Sequence, residues 1–127
     1  MSSYSSQMRR NEALRYPGLT LRVLGKSAAA IGPGKAELIE RIGQTGSISA
    51  AARGMGMSYR RAWQLVESLN STFREPVVET ATGGARVTVL GEKVVAQFRT
   101  MEGKATRAIA ADLRRFAGHL RKASKRR

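Results

Sequence analysis

Apolar and polar positions alternate from Leu19 to Leu24 (LTLRVL) and the alternation stops at Gly25, the pattern of a short half-buried strand. Pro33 then suits the first turn of a helix, and Leu38, Ile39 and Ile42 line one side of it until Gly46, which predicts a helix over about 34–45. Ser47 is placed to cap a second, shorter helix in which Ile48, Ala51, Ala52 and Met55 recur at i, i+3, i+4 and i+7. That face is almost entirely small, so another helix can approach it closely. Gly54-Met55-Gly56-Met57 supplies a tight turn, and Ser58 caps a third helix that runs to about Arg74 and ends before Glu75-Pro76. Two helices joined by a short glycine-containing turn make a helix-turn-helix.

The strand-like runs VVETA (77–81) and RVTV (86–89) follow, with Thr82-Gly83-Gly84-Ala85 between them. Two glycines between β-branched runs predict a hairpin, since both accept positive φ at no steric cost. A hairpin directly behind a helix-turn-helix is a wing. Thr88 can cap a last helix whose apolar positions, Val94, Phe98, Met101, Ala105, Ile109, Leu113, Phe116 and Leu120, step by three or four residues. At about 1.5 Å per residue the stripe is roughly 39 Å long. One small winged domain cannot cover it, which makes Phe98, Met101, Ile109, Leu113 and Phe116 the expected contacts of a homodimer. The fold class is therefore mainly α with a small β wing. Residues 1–18 read as a flexible leader closed by Pro17-Gly18, 19–90 as the winged helix-turn-helix, 91–120 as the dimerisation helix and 121–127 as a basic tail.

A helical wheel of the third helix separates its faces. Ala62, Val66, Leu69 and Phe73 share the buried side, while Arg60, Gln64, Glu67 and Ser71 point away, with Arg61 and Ser68 on one flank and Tyr59 and Trp63 on the other. The outward face at the helix start is basic and rich in donors. Such a helix sets its first residues against major-groove base edges, where Arg bonds guanine and Gln bonds adenine in bidentate fashion. Arg53 on the second helix and Arg86 beside the wing tip are placed for phosphates, which orient a protein without reading sequence. Tyr59 and Trp63 are equally suited to burial against a neighbouring element and to contact with DNA.

Charge sharpens the reading. The 127 residues hold 23 Lys plus Arg against 9 Asp plus Glu, a net charge of +14, and the pI is about 11.5. An excess of this size favours polyanions, nucleic acid first. Half of it sits between Arg114 and Arg127, which hold seven basic residues and no acid. With 42% hydrophobic residues the chain can bury a core. No apolar run is long enough to span a membrane and no export signal is evident, so a soluble, cytoplasmic, nucleoid-associated protein is expected.

Catalysis and cofactors find no support. There is no cysteine, the single histidine, His119, lies in the basic end, and the acids form no paired constellation. Gly34-Lys35 is not a P-loop, because Ala36 has no hydroxyl for magnesium and Ala29 stands where the first glycine belongs. No catalytic or metal site is read, and Asn70-Ser71-Thr72 is read as a chance glycosylation sequon.

The segments GSISAAARGMGMSYRRAW (46–63) and FREPVVETATGGARVTVLG (73–91) closely resemble the N-terminal winged-helix domain of the ModE family of molybdate-responsive regulators. The alanine-rich second helix also fits the general LysR-type pattern. The resemblance covers roughly residues 20–100. It implies a homodimer on double-stranded DNA, with Ser58, Tyr59, Arg60, Arg61 and Gln64 as the transferable contact positions and the hairpin Thr82, Gly83, Gly84 to Arg86 as the wing. The family's molybdate-binding domains have no counterpart in the last 30 or so residues, so molybdate binding is not expected. The expected function is sequence-specific transcriptional regulation. The rival is a sequence-tolerant architectural protein in which charge does most of the binding; the specificity ratio separates the two, and salt dependence alone does not.

Overall fold

A computed structural model describes residues 18–26 and 29–121. The leader up to position 17 and the tail from 122 onward lie outside the described residues. In chain order the elements are β1 (Val23–Leu24), β2 (Ala29–Ile31), α1 (Pro33–Thr45), α2 (Ile48–Met55), α3 (Tyr59–Thr72), β3 (Val78–Ala81), β4 (Gly84–Val87), α4 (Val89–Ala108) and α5 (Ala110–Ala117). The strands form two separate antiparallel pairs, β1 with β2 and β3 with β4. No helix among the described residues is long and apolar enough to cross a membrane.

Each helix from α1 to α4 starts where local chemistry places it. The hydroxyls of Ser47, Ser58 and Thr88 accept from the amides of Ala50, Arg61 and Gly91 at 3.0 Å each, satisfying donors that the first turns of α2, α3 and α4 leave open. Pro33 opens α1, and Gly46 and Gly56 close α1 and α2 in the left-handed region, with φ of 71° and 70°. The small face of α2 does what its composition implies: Ala51 and Ala52 are buried against α1 and α3, and Ala62 comes in from α3. One core results, built from Ile31, Leu38, Ile39, Ile42, Ile48, Val66, Leu69, Val77, Val78 and Phe98 among others.

Four expectations change. The first strand is only Val23–Leu24, because its partner β2 is three residues long and pairs Val23 with Ile31 and Leu24 with Ala29; no strand among the described residues pairs with the backbone from Leu19 to Arg22. In the wing only Gly83 uses positive φ, at 83°. Gly84 is already in β4, opposite Ala81, and its requirement is space: a Cβ there would lie 2.6 Å from the carbonyl oxygen of Gly46, which also receives the Ala85 amide at 2.9 Å.

The third change concerns the last helix, which is two helices. Ile109, at φ −112° and ψ 16°, ends α4 and begins α5. No proline or glycine marks the break, and the four-residue spacing of Ala105, Ile109 and Leu113 runs straight through it, so periodicity held no signal there. Fourth, Phe98, expected among the dimer contacts, leaves no surface exposed for one. It is fully buried in the chain's own core, because the first half of α4 lies against α1 and the wing stem. Gly91 makes that approach possible, since a Cβ there would fall 2.3 Å from the Val77 carbonyl oxygen.

Arg99 fastens α4 to α1. Its guanidinium donates twice to Glu40, at 2.9 and 3.1 Å, and once to Glu102 at 2.8 Å. Burial opposes the charge, but the bonds to Glu40 and Glu102 more than offset it and hold the group protonated.

Candidate nucleic-acid interface

The candidate interface comprises the free start of α3 and the tip of the β3–β4 hairpin. Because Ala62, Val66 and Leu69 are drawn into the core, the opposite face of α3 stands in solvent, and Tyr59, Arg60, Arg61, Gln64 and Glu67 are all exposed. Ser58 is exposed, and its hydroxyl accepts from the Arg61 amide, which fixes where the helix begins. No carboxylate among the described residues neutralises Arg60 or Arg61.

Tyr59 and Trp63 turn out to form one unit. Their rings stack at 6.5 Å with an interplanar angle of 13°; Trp63 is half-buried against the core while Tyr59 remains 55% exposed. They line a cleft of about 460 Å³ shared with Ser49, Thr80 and Gly83, which brings the wing and the start of α3 to one side of the molecule. Thr82 and Gly83 form the exposed hairpin tip, and Gly84, half-buried, closes it opposite Ala81. Arg86 faces Glu79 across the hairpin and donates to it at 3.0 and 3.3 Å, so a phosphate would compete with that carboxylate. Arg53 is exposed on α2 and donates to Ser49 at 3.2 Å.

Sequence reasoning missed the residue that sets the wing against α3. The Asn70 carboxamide oxygen accepts from the amides of Val77 and Val78, at 2.8 and 3.2 Å, and its nitrogen donates to the Val78 carbonyl at 2.9 Å. All three bonds reach the start of β3, so the side chain read as part of a chance sequon ties the end of α3 to the wing. A polar side chain near the end of an amphipathic helix gives no sign of such a partner.

The proposed dimer contacts separate into three environments. Phe98 is in the core; Met101 and Phe116 are 42% and 55% exposed; Ile109 and Leu113 are half-buried where α5 leans on α4. No residue of α5 is fully buried in this chain.

A helix-turn-helix followed by a hairpin wing, with the second helix of the pair free along its outer face, defines a winged helix-turn-helix of the DNA-binding kind. The sequence model of the bacterial regulatory helix-turn-helix proteins of the lysR family matches residues 35–92, which cover α1 to the start of α4, and those residues are a domain of that family. Over 104 residues, 78% of the chain, it is 39% identical to the molybdenum-pterin-binding protein MopA of Rhodobacter capsulatus. It is 32% identical over 78 residues to the molybdenum transport protein ModE of Azotobacter vinelandii, and 38% identical over 66 residues to the DNA-binding transcriptional dual regulator ModE of Escherichia coli. These matches cover 58% and 52% of the chain. The chain spans less than two fifths of the length of these relatives: 38%, 29% and 24% in turn.

Proposed function

We propose that the chain is a sequence-specific DNA-binding transcriptional regulator of the ModE and LysR winged-helix type, with α3 in the major groove and the wing on the flanking backbone. The observation that carries this is the exposed, unneutralised set Arg60, Arg61 and Gln64 on the first two turns of a helix whose other face is locked into the core. Ser58 and Tyr59 complete the contact row, Arg53, Thr82, Gly83 and Arg86 supply backbone contacts, and Gly84 seats the tip end of the wing against the α1–α2 turn. Nothing in this row is suited to bond-making chemistry, so binding and not catalysis is the activity, exercised in the cytoplasm where DNA lies. Molybdate recognition is no part of this proposal.

The same proposal includes a homodimer through the outer face of α4 and α5. Met101 on α4, Phe116 on α5 and Leu120 just beyond it are 42%, 55% and 46% exposed, and gain cover only from a second surface. Two copies would present two α3 helices, so the operator is an inverted repeat with half-sites separated by whole helical turns of about 34 Å. Selection of bound duplexes from a random pool tests the function directly. Enrichment of an inverted repeat supports it, and recovery of unenriched DNA would refute it in favour of a sequence-tolerant architectural protein.

A further inference from the structure

Three cations from three separate elements converge on the side of α3 away from the wing. Lys35, in the first turn of α1, reaches across the core edge so that its ammonium donates to the Ala29 carbonyl at 2.9 Å and to the Ser68 hydroxyl at 3.4 Å. Arg22, just before β1, and Arg61, on α3, face it across a cleft of about 370 Å³ that Thr20, Gly32 and Leu65 help to line. No carboxylate among the described residues pairs with any of the three, and the first turn of α1 contains no acid. Burial, then the charges of Arg61 and Arg22, push the Lys35 ammonium below its ordinary pKa. Like charges held together without a counter-charge oppose folding, and an anion in the cleft would relieve them.

We propose that Arg22, Lys35 and Arg61 form a binding site for a phosphate group, supplied by the phosphodiester backbone of the DNA strand opposite the one met by the wing. This rests on the reading of α3 as the groove helix and adds its second wall. The wing-side flank of α3 holds Tyr59, Trp63 and the cleft shared with Gly83, while Arg61, Leu65 and Ser68 form the other flank, where the cations converge. A helix lying in a major groove about 12 Å wide has a phosphate strand on each side. Arg22 and Arg61 are exposed at the mouth of the cleft, which suits a polymer passing along the surface. Such contacts fix register and orientation, and they carry no sequence preference of their own.

The test measures affinity of the full chain for a duplex carrying its selected site, as a function of salt, for wild type, R22Q, R22Q/K35Q and R74Q. Arg74 lies just beyond the far end of α3, beside Glu75, and controls for charge loss. Each phosphate contact adds about 0.9 to the slope of log K against log salt. The expected slope therefore falls by about 1 in R22Q and about 2 in the double variant, with unchanged preference for the site and no change in R74Q. The weakening between about 50 and 200 mM salt then shrinks roughly tenfold in the double variant. R22Q, a change at an exposed side chain, keeps the test valid should Lys35 prove necessary for folding. Slopes equal to that of R74Q would overturn the site. So would saturable binding of inorganic phosphate to the DNA-free protein, lost in R22Q/K35Q, which would assign the cleft to a free oxyanion. Absence of any duplex binding by the wild type would refute the regulator reading itself, an outcome distinct from both.

Discussion

Replacing Asn70 by alanine is expected to loosen the wing from α3 without touching any proposed DNA contact. The change deletes three hydrogen bonds, at 2.8, 2.9 and 3.2 Å, and leaves the amides of Val77 and Val78 without their acceptor in a region where those residues are 0% and 2% exposed. A net value of about 1 kcal/mol per bond gives a loss of about 3 kcal/mol, before any cost of the stranded buried amides. Against a typical domain stability of about 5–15 kcal/mol this is a large fraction. At about 4–8 °C per kcal/mol for a domain of this size, Tm falls by about 12–24 °C. Asn70→Asp separates the contributions: a carboxylate still accepts from both amides but turns its second oxygen on the Val78 carbonyl, so it recovers only part of the stability that alanine loses. Urea or thermal unfolding followed by circular dichroism measures both variants, and hydrogen exchange at the Val77 and Val78 amides locates the effect. A loss under about 0.5 kcal/mol in Asn70→Ala, with those amides still protected, would refute the assignment of Asn70 as the link between wing and helix.

Phe98→Ala is expected to cost about 3–5 kcal/mol while leaving the association state of the folded protein unchanged, because the ring fills the chain's own core; chemical denaturation with light scattering reads both. Conversely, Leu113→Asp together with Phe116→Asp converts a dimer into folded monomers near 13.8 kDa, and a wild type already at that mass refutes the dimer. Arg60→Ala reduces discrimination between selected and random duplexes by roughly 1–3 kcal/mol per lost base contact, and equal losses on both duplexes would make it a phosphate contact only, whereas Arg61→Ala, at the proposed phosphate site, weakens both duplexes alike. Lys35 titrates below the ordinary lysine value of 10.5, owing to burial and to the facing charges of Arg61 and Arg22. Across the window between its folded pKa and 10.5 the unfolded chain holds the extra proton, so stability rises with pH there; an NMR midpoint at or above 10.5 would contradict this.

What could be read along the chain is what depends on neighbours a few residues apart. The hydroxyls of Ser47, Ser58 and Thr88 cap helices by reaching amides three positions ahead, so the starts of α2, α3 and α4 follow from sequence alone. The small face of α2 and the division of α3 into a buried row and an exposed basic row follow equally from a 3.6-residue period, and with them the helix-turn-helix and its reading face. Tertiary structure decided everything that required knowing what stands opposite. A three-residue strand, Ala29–Ile31, exists because Val23 and Leu24 are there to pair with it, and Gly84 is required by a carbonyl 38 positions earlier in the chain. Periodicity placed Phe98 and Phe116 on one stripe, yet one ring is buried and the other is in solvent, because a helix stripe records only that a side is apolar and not where the core beneath it ends. Asn70 and the cluster of Arg22, Lys35 and Arg61 were invisible for the same reason: a polar side chain acquires its partner through a distance in space that no local pattern encodes.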